Sequence, residues 1–172
     1  KQQEIALDYI RELPGKVTFL TAFTLHNWDS AGWADDTIAR LKASFEKGAL
    51  GINLWKNIGM TDKDASGNFI MLDDPKFYPV IAYVMQEGKA VLNHMAEPRN
   101  CLLPVEKMTV NNDREYFTSH PEFHMFLHPE YPSYEHLISV RNSFLEKHKG
   151  MRYIGAHLGT QEWSVDELAK SL

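Results

Sequence analysis

Gly88-Lys89-Ala90-Val91-Leu92-Asn93-His94 and Gly150-Met151-Arg152-Tyr153-Ile154-Gly155-Ala156-His157 decide the fold. Each is a glycine, a short apolar run and a terminal histidine, and each follows a helical stretch. A run of that length behind a helix reads as a buried parallel strand. Its last residue stands at the carboxyl edge of the sheet, where parallel α/β folds bind ligands and do chemistry. A lone imidazole there reads equally well as a core histidine with one satisfied hydrogen bond. A matched pair on two strand ends points to one shared site, and histidine is the commonest metal ligand.

The same unit of helix, glycine and strand recurs along the chain. Gln2 to Leu13 precedes Pro14-Gly15 and a strand over Lys16–Thr24, and Asp36 to Lys47 precedes Gly48 and a strand over Ala49–Trp55. Pro75 to Glu87 leads to the strand ending at His94, and Ser133 to Lys149 to the one ending at His157. Phe77, Val80, Ile81 and Val84 recur at i, i+3, i+4 and i+7, one apolar stripe on a helix. Leu137, Val140 and Phe144 form a second stripe. Asp74 before Pro75 is a helix start, with a capping carboxylate and a proline at the first helical position. Ser164-Val165-Asp166-Glu167 is a capping-box pattern that predicts a fifth helix.

Strands alternating with helices imply a parallel sheet with right-handed crossovers. Four strands suit either a doubly wound sheet or part of a (β/α)8 barrel. No Gly-x-Gly-x-x-Gly or phosphate loop follows any strand, which counts against a nucleotide fold.

The 172 residues suit one domain, and 44 % hydrophobic with 24 % charged residues is ordinary for a globular chain. The net charge of −5 without a basic block argues against nucleic acid or an anionic membrane surface as partner. No apolar run approaches the ~20 residues needed to span a bilayer. A small-molecule substrate is the partner class left, and a homo-oligomer stays open. The single Cys101 excludes an internal disulfide and fits a reducing, cytoplasmic setting. It reads as a loop cysteine rather than a nucleophile, because no base is placed beside it. The chain opens at Lys1 in a helix-like stretch and stops at Leu172 inside another. Both ends therefore read as cuts in a longer protein, and a leader before Lys1 stays open.

Two loops stand out. Residues 95–132 are long for a connection, and such loops are usually functional or disordered. The stretch His120-Pro121-Glu122-Phe123-His124-Met125-Phe126-Leu127-His128-Pro129-Glu130-Tyr131-Pro132 is too aromatic for disorder. It predicts an ordered segment over the carboxyl edge. His120, His124 and His128 have i, i+4 spacing, but Pro121 and Pro129 oppose one continuous helix. Within Asn57–Asp73, Thr61-Asp62-Lys63-Asp64-Ala65-Ser66-Gly67 lacks the twelfth-position glutamate of a calcium loop and reads as a polar turn.

Histidines on strand ends suit a metal such as zinc, whose catalytic sites usually have three protein ligands and one open position. Glu97 and Glu162 are the obvious additions, as ligands, substrate contacts or solvated charges. Lys56, just past a strand, reads as a cation facing the site or as the cap of a solvated edge.

Val91-Leu92-Asn93-His94-Met95-Ala96-Glu97-Pro98 and Tyr153-Ile154-Gly155-Ala156-His157-Leu158-Gly159 together resemble the metal-dependent amidohydrolase superfamily. The branch is the amidohydrolase 2 type, which includes aminocarboxymuconate-semialdehyde decarboxylase. Gly51-Ile52-Asn53-Leu54-Trp55-Lys56 resembles its preceding strand. The Pro-Glu-Phe-His and His-Pro-Glu-Tyr-Pro-Ser-Tyr stretches resemble a bacterial subgroup of metal-dependent hydrolases. The resemblance runs from about Val17 to Leu168.

It implies a (β/α)8 barrel with a divalent metal, zinc foremost, at its carboxyl end. His94 would be the fifth-strand ligand and His157 the sixth-strand catalytic histidine. By their positions in the chain rather than by the resemblance, Lys56, Glu97, His124, His128, Tyr131 and Glu162 are candidate substrate contacts. The chain departs from the family in having no His-x-His and no eighth-strand Gly-x-Asp. Residues 1–172 would then be the central part of the barrel, strands three to six, and incomplete as a catalyst by themselves. The implied reaction is hydrolysis of a C–N or C–O bond by metal-activated water. The alternatives are a non-oxidative decarboxylase on the same site and a non-catalytic binding domain on the same scaffold.

Overall fold

Helix, glycine and strand recur in the folded chain as the sequence predicts, in a computed structural model that describes residues 2–95 and 97–170. Lys1, Ala96, Ser171 and Leu172, and with them both chain ends, lie outside the described residues. The elements run α1 (Gln2–Glu12), α2 (Trp33–Glu46), β1 (Gly51–Leu54), α3 (Tyr78–Gln86), β2 (Ala90–Asn93), α4 (Asn111–Ser119), α5 (Tyr134–Lys147), β3 (Arg152–Gly155), a one-turn α6 (His157–Thr160) and α7 (Val165–Ala169). The strands form one parallel sheet in the order β1-β2-β3, with Ile52, Val91 and Tyr153 on one rank and Leu54, Asn93 and Gly155 on another. The fold is α/β with a small parallel sheet. Among the described residues no helix is long and apolar enough to cross a membrane.

One face of the sheet makes the core. Ile52, Leu54 and Val91 pack with Phe77, Val80, Ile81 and Val84 of the α3 region and with Leu137, Val140 and Phe144 of α5. Burying each such side chain contributes about 1.5–3 kcal/mol. Alternation sends Asn53, Trp55, Leu92 and Ile154 to the other face. That face is open, with Trp55 49 % and Ile154 51 % exposed. Strand β1 approaches β2 so closely that a Cβ at Gly51 would collide with the Ala90 carbonyl oxygen.

Helix starts follow their local chemistry. The Asp74 carboxylate accepts from Lys76 N at 2.8 Å and Ser133 Oγ from His136 N at 3.2 Å. Ser164 Oγ accepts from Glu167 N at 3.2 Å, so the Ser164 side chain caps α7. The stretch from Pro75 begins as a 3-10 turn, Pro75–Phe77, and becomes α-helical at Tyr78. Pro79 has no N–H to return to the Pro75 carbonyl, which prevents an α-turn there.

Three expectations need correction. The strand over Lys16–Thr24 is reduced to one parallel bridge, Thr21 to Ile52, flanked by Leu50 N donating to Phe19 O at 3.0 Å. Phe23 leaves the sheet edge to join Trp33 and Phe77, with ring centroids at 5.8 and 6.2 Å, in a cluster that includes Trp28. Helix α2 starts at Trp33 rather than Asp36, because Trp33 is buried in that cluster. Residues 95–132 are not an irregular connection but hold α4 and four 3-10 turns. The polar segment at Asp62–Gly67 is a turn, with Asp64 Oδ1 accepting from Ser66 N and Asn68 N.

His148 closes α5 inside the core, against Phe144 at 4.9 Å and Tyr78 at 5.3 Å. Its Nε2 is buried without a hydrogen-bond partner among the described residues. Burial pushes its pKa below the ordinary histidine value. A base with a lowered folded pKa is protonated first in the unfolded chain, so acid favours unfolding. Stability should be flat above about pH 6.5 and fall as pH drops through the depressed folded value. Thermal melts from about pH 7 to pH 5 should show this loss. His148→Phe should shallow it, and an unchanged slope would clear His148 of the effect.

Candidate functional site at the carboxyl edge of the sheet

The ladder hydrogen bonds continue past the strands and place the two histidines. His94 N donates to Leu54 O at 2.9 Å, and Ala156 N to Asn93 O at 3.0 Å. His94 thus stands one residue beyond β2. His157 stands two residues beyond β3, not at the strand's last position. The rings meet edge to face, 5.6 Å between centroids. Trp55, one residue beyond β1, lies 4.7 Å from His94.

Beside this group opens a cavity of about 380 Å³ whose walls include Trp55, Lys56, Glu97, Glu122, Met125 and Tyr131. Lys56 Nζ donates to Glu97 Oε1. The pair is partly exposed, at 38 % and 23 % for the two side chains, so its contribution to stability is small. Its role is to set a cation and a carboxylate side by side on the wall. The pKa of His94 is lowered, first by burial and then by His157 and Lys56, against the opposing Glu97. His94 is therefore neutral at neutral pH, with a lone pair free to bind a proton or an ion.

His157 opens a backbone feature that the sequence does not announce. His157, Leu158, Gly159 and Thr160 have φ of 51°, 52°, 65° and 65°, a full turn of left-handed helix. L-residues visit this region singly, and each costs about 1–2 kcal/mol. The turn is held from outside. Arg141 Nη1 donates to Gly159 O and, at 3.1 Å, to Gln161 Oε1. Tyr134 O–H donates to Thr160 O at 2.7 Å. Thr160 Oγ1 donates to Met95 O, which ties the His157 loop to the residue after His94.

The segment 97–132 packs over this edge, as its aromatic composition predicts, but its histidines divide. His124 is 2 % exposed, bonds Leu103 O through Nε2 at 2.8 Å and stacks on Phe117, inside the segment rather than toward the histidine pair. His120 stacks on Tyr116 at 4.5 Å. His128 lies near Glu130 Oε1 and Pro121 O, at 3.2 and 3.3 Å, and lines a separate cavity that shares Met125 and Tyr131 with the first. Glu162 accepts from Arg99 N at 2.8 Å and so joins the two loops. Cys101 is fully buried, its Sγ donating to Phe123 O, and burial pushes its thiol up to about 12. That is no nucleophile.

The edge thus gathers Trp55, Lys56, His94, Glu97 and His157. Sequence reasoning passed over Trp55 and Arg141. Trp55 is legible from strand alternation, whereas nothing in the sequence marks Arg141. Among the described residues no group of three or more His, Cys, Asp and Glu side chains is arranged to hold a metal. The donor set present is two imidazoles, with Glu97 engaged by Lys56. The chain matches no family model, no curated protein and no solved structure.

Leu158 tests the left-handed turn. It is 57 % exposed, so little packing is lost on removal. Leu158→Gly relieves the backbone and offsets the entropy that glycine adds to the unfolded chain, for a net gain between zero and about 1 kcal/mol. Lys42→Gly, on the exposed side of α2, should cost about 1 kcal/mol. Denaturant melts of the two variants decide it. A Leu158→Gly loss as large as that of Lys42→Gly would show the turn to be absent in solution.

Proposed function

We propose that this chain is the central part, strands three to six, of an amidohydrolase-type (β/α)8 barrel. Its carboxyl edge is then the site of a metal-dependent hydrolase acting on a C–N or C–O bond of a small molecule. The meeting of the His94 and His157 rings at the ends of adjacent parallel strands, 5.6 Å apart, carries the reading. The open sheet face supports the barrel. Parallel sheets are covered on both faces, and here one face shows Trp55 and Ile154 half exposed. On that same face Asn53 Oδ1 is buried without a hydrogen-bond partner among the described residues. Closure into a barrel would cover this face with the remaining strands.

Neutral His94 suits a ligand to a divalent ion such as zinc. Two imidazoles fall short of the three protein ligands usual in catalytic zinc sites, so the reading takes further ligands from barrel strands beyond these. When bound, the ion supplies Lewis acidity that activates water for attack. His157, exposed and turned toward His94, takes and returns the proton. Lys56 and Glu97 face the substrate from the wall, with Trp55 and Tyr131 as flat apolar surfaces. The segment 97–132 limits water at the edge. Glu162 is taken up by the Arg99 backbone N–H and does not serve as a substrate contact in this reading.

In the protein with its complete barrel, His94→Ala should lower zinc content, measured by elemental analysis after dialysis. His157→Ala should keep the metal and cut turnover of small ester, lactone or amide substrates by about 10²–10⁴-fold. Full metal occupancy and full turnover in His94→Ala would refute these roles. Release of carbon dioxide without hydrolysis would move the reading to a decarboxylase.

A further inference from the structure

A second cavity, of about 280 Å³, lies between the turn Arg99–Leu102 and the segment 125–135, and neither His94 nor His157 lines it. Arg99 is its cation. The guanidinium carbon sits 3.7 Å from the centroid of the Trp163 ring and 5.6 Å from that of Tyr134. This platform is fixed by a chain of hydrogen bonds. Trp163 Nε1–H donates to Tyr134 Oη at 2.7 Å, and Tyr134 O–H to Thr160 O at 2.7 Å. The backbone of Arg99 is pinned by its N–H donating to Glu162 Oε1 at 2.8 Å.

Stacking uses the face of a guanidinium and leaves its edge, where the N–H donors point. Among the described residues no carboxylate or carbonyl accepts from the Arg99 side chain. The other basic group in the wall, His128, has both ring nitrogens near acceptors already, Glu130 Oε1 and Pro121 O. Glu135 is the one carboxylate in the wall, and it is exposed, where water screens its charge. Leu102, Leu103, Met125, Phe126 and Pro132 make the rest of the wall largely apolar. A fixed fork of unused donors at one end of an apolar cavity is complementary to a planar carboxylate on an apolar body.

We propose that Arg99, set on Trp163 and Tyr134, binds the carboxylate of a small molecule whose apolar part fills this cavity. The site does not depend on a metal or on the histidine pair, so it stands apart from the hydrolase reading.

The probe is sodium benzoate, with benzamide as its neutral counterpart and phenyl phosphate as a tetrahedral anion. Each is titrated into the purified protein by calorimetry, and the Trp163 indole N–H is followed by NMR, assigned with Trp163→Phe. Benzoate should bind saturably and shift the Trp163 signal along the same isotherm, with benzamide at least about tenfold weaker. Arg99→Gln should weaken benzoate by about tenfold or more, and Arg99→Lys, which keeps the charge but not the fork, by a smaller factor. Circular dichroism verifies folding of both variants, and Arg99→Lys decides should Arg99→Gln not fold. Absence of saturable benzoate binding, equal affinity for benzamide, tighter binding of phenyl phosphate, or undiminished binding in a folded variant would overturn the proposal.

Discussion

The parallel register of three short strands governs everything at the carboxyl edge. Leu54, Asn93 and Gly155 share a rank, and the ladder adds one more hydrogen bond on each side, His94 N to Leu54 O and Ala156 N to Asn93 O. The backbone of His94, and the one leading into His157, are therefore placed by the sheet itself. Trp55 and His94 reach the open face because alternation sends their neighbours Leu54 and Asn93 into the core. A slip of one residue in any strand would turn the site inward and the core outward. The absence of a side chain at Gly51, against the Ala90 carbonyl, lets β1 and β2 pair at this register.

The parts legible in sequence are those where local chemistry and tertiary packing agree. Glycines after amphipathic stretches end the helices before all three strands, and Asp74, Ser133 and Ser164 cap where their neighbours suggest. The misreadings have physical causes. The apolar run at 16–24 looks like a full strand, yet its aromatic residue Phe23 gains more from Trp33 and Phe77 than from the sheet edge. Helix α4 has no buried residue, so no apolar stripe betrays it. His124 stands in the same aromatic stretch as Tyr131, and spacing cannot tell the one stacked within the segment from the one facing the cavity. The left-handed turn at His157 is the least legible, since of its four residues only Gly159 favours that conformation.

That turn also shows how a poor local conformation persists. Its four residues are held by two side chains from outside, Arg141 and Tyr134, and by Thr160's own hydroxyl on Met95. Arg141 is 2 % exposed, and its pKa is lowered by burial against the opposing Tyr153 and Tyr134. It keeps its charge because its ordinary value lies so far above neutrality. A buried charge with carbonyl acceptors is costly to place and costlier to leave unpaired. The turn and the arginine therefore depend on each other. The backbone supplies acceptors, and the guanidinium supplies the donors that hold a left-handed path.

The bonds that assemble this edge join residues far apart along the chain: Thr160 with Met95, 65 positions away, Arg99 with Glu162, 63 away, and Lys56 with Glu97, 41 away. Closing such loops costs entropy that rises with the logarithm of their length, before any of these bonds forms. Contacts of long sequence separation slow folding for the same reason. The helices and their glycine stops are local and free of that cost. By the same reasoning the helices, which close no long loop, form before the sheet and the edge it carries. A chain with ordinary helical content is therefore no assurance that its carboxyl edge has formed.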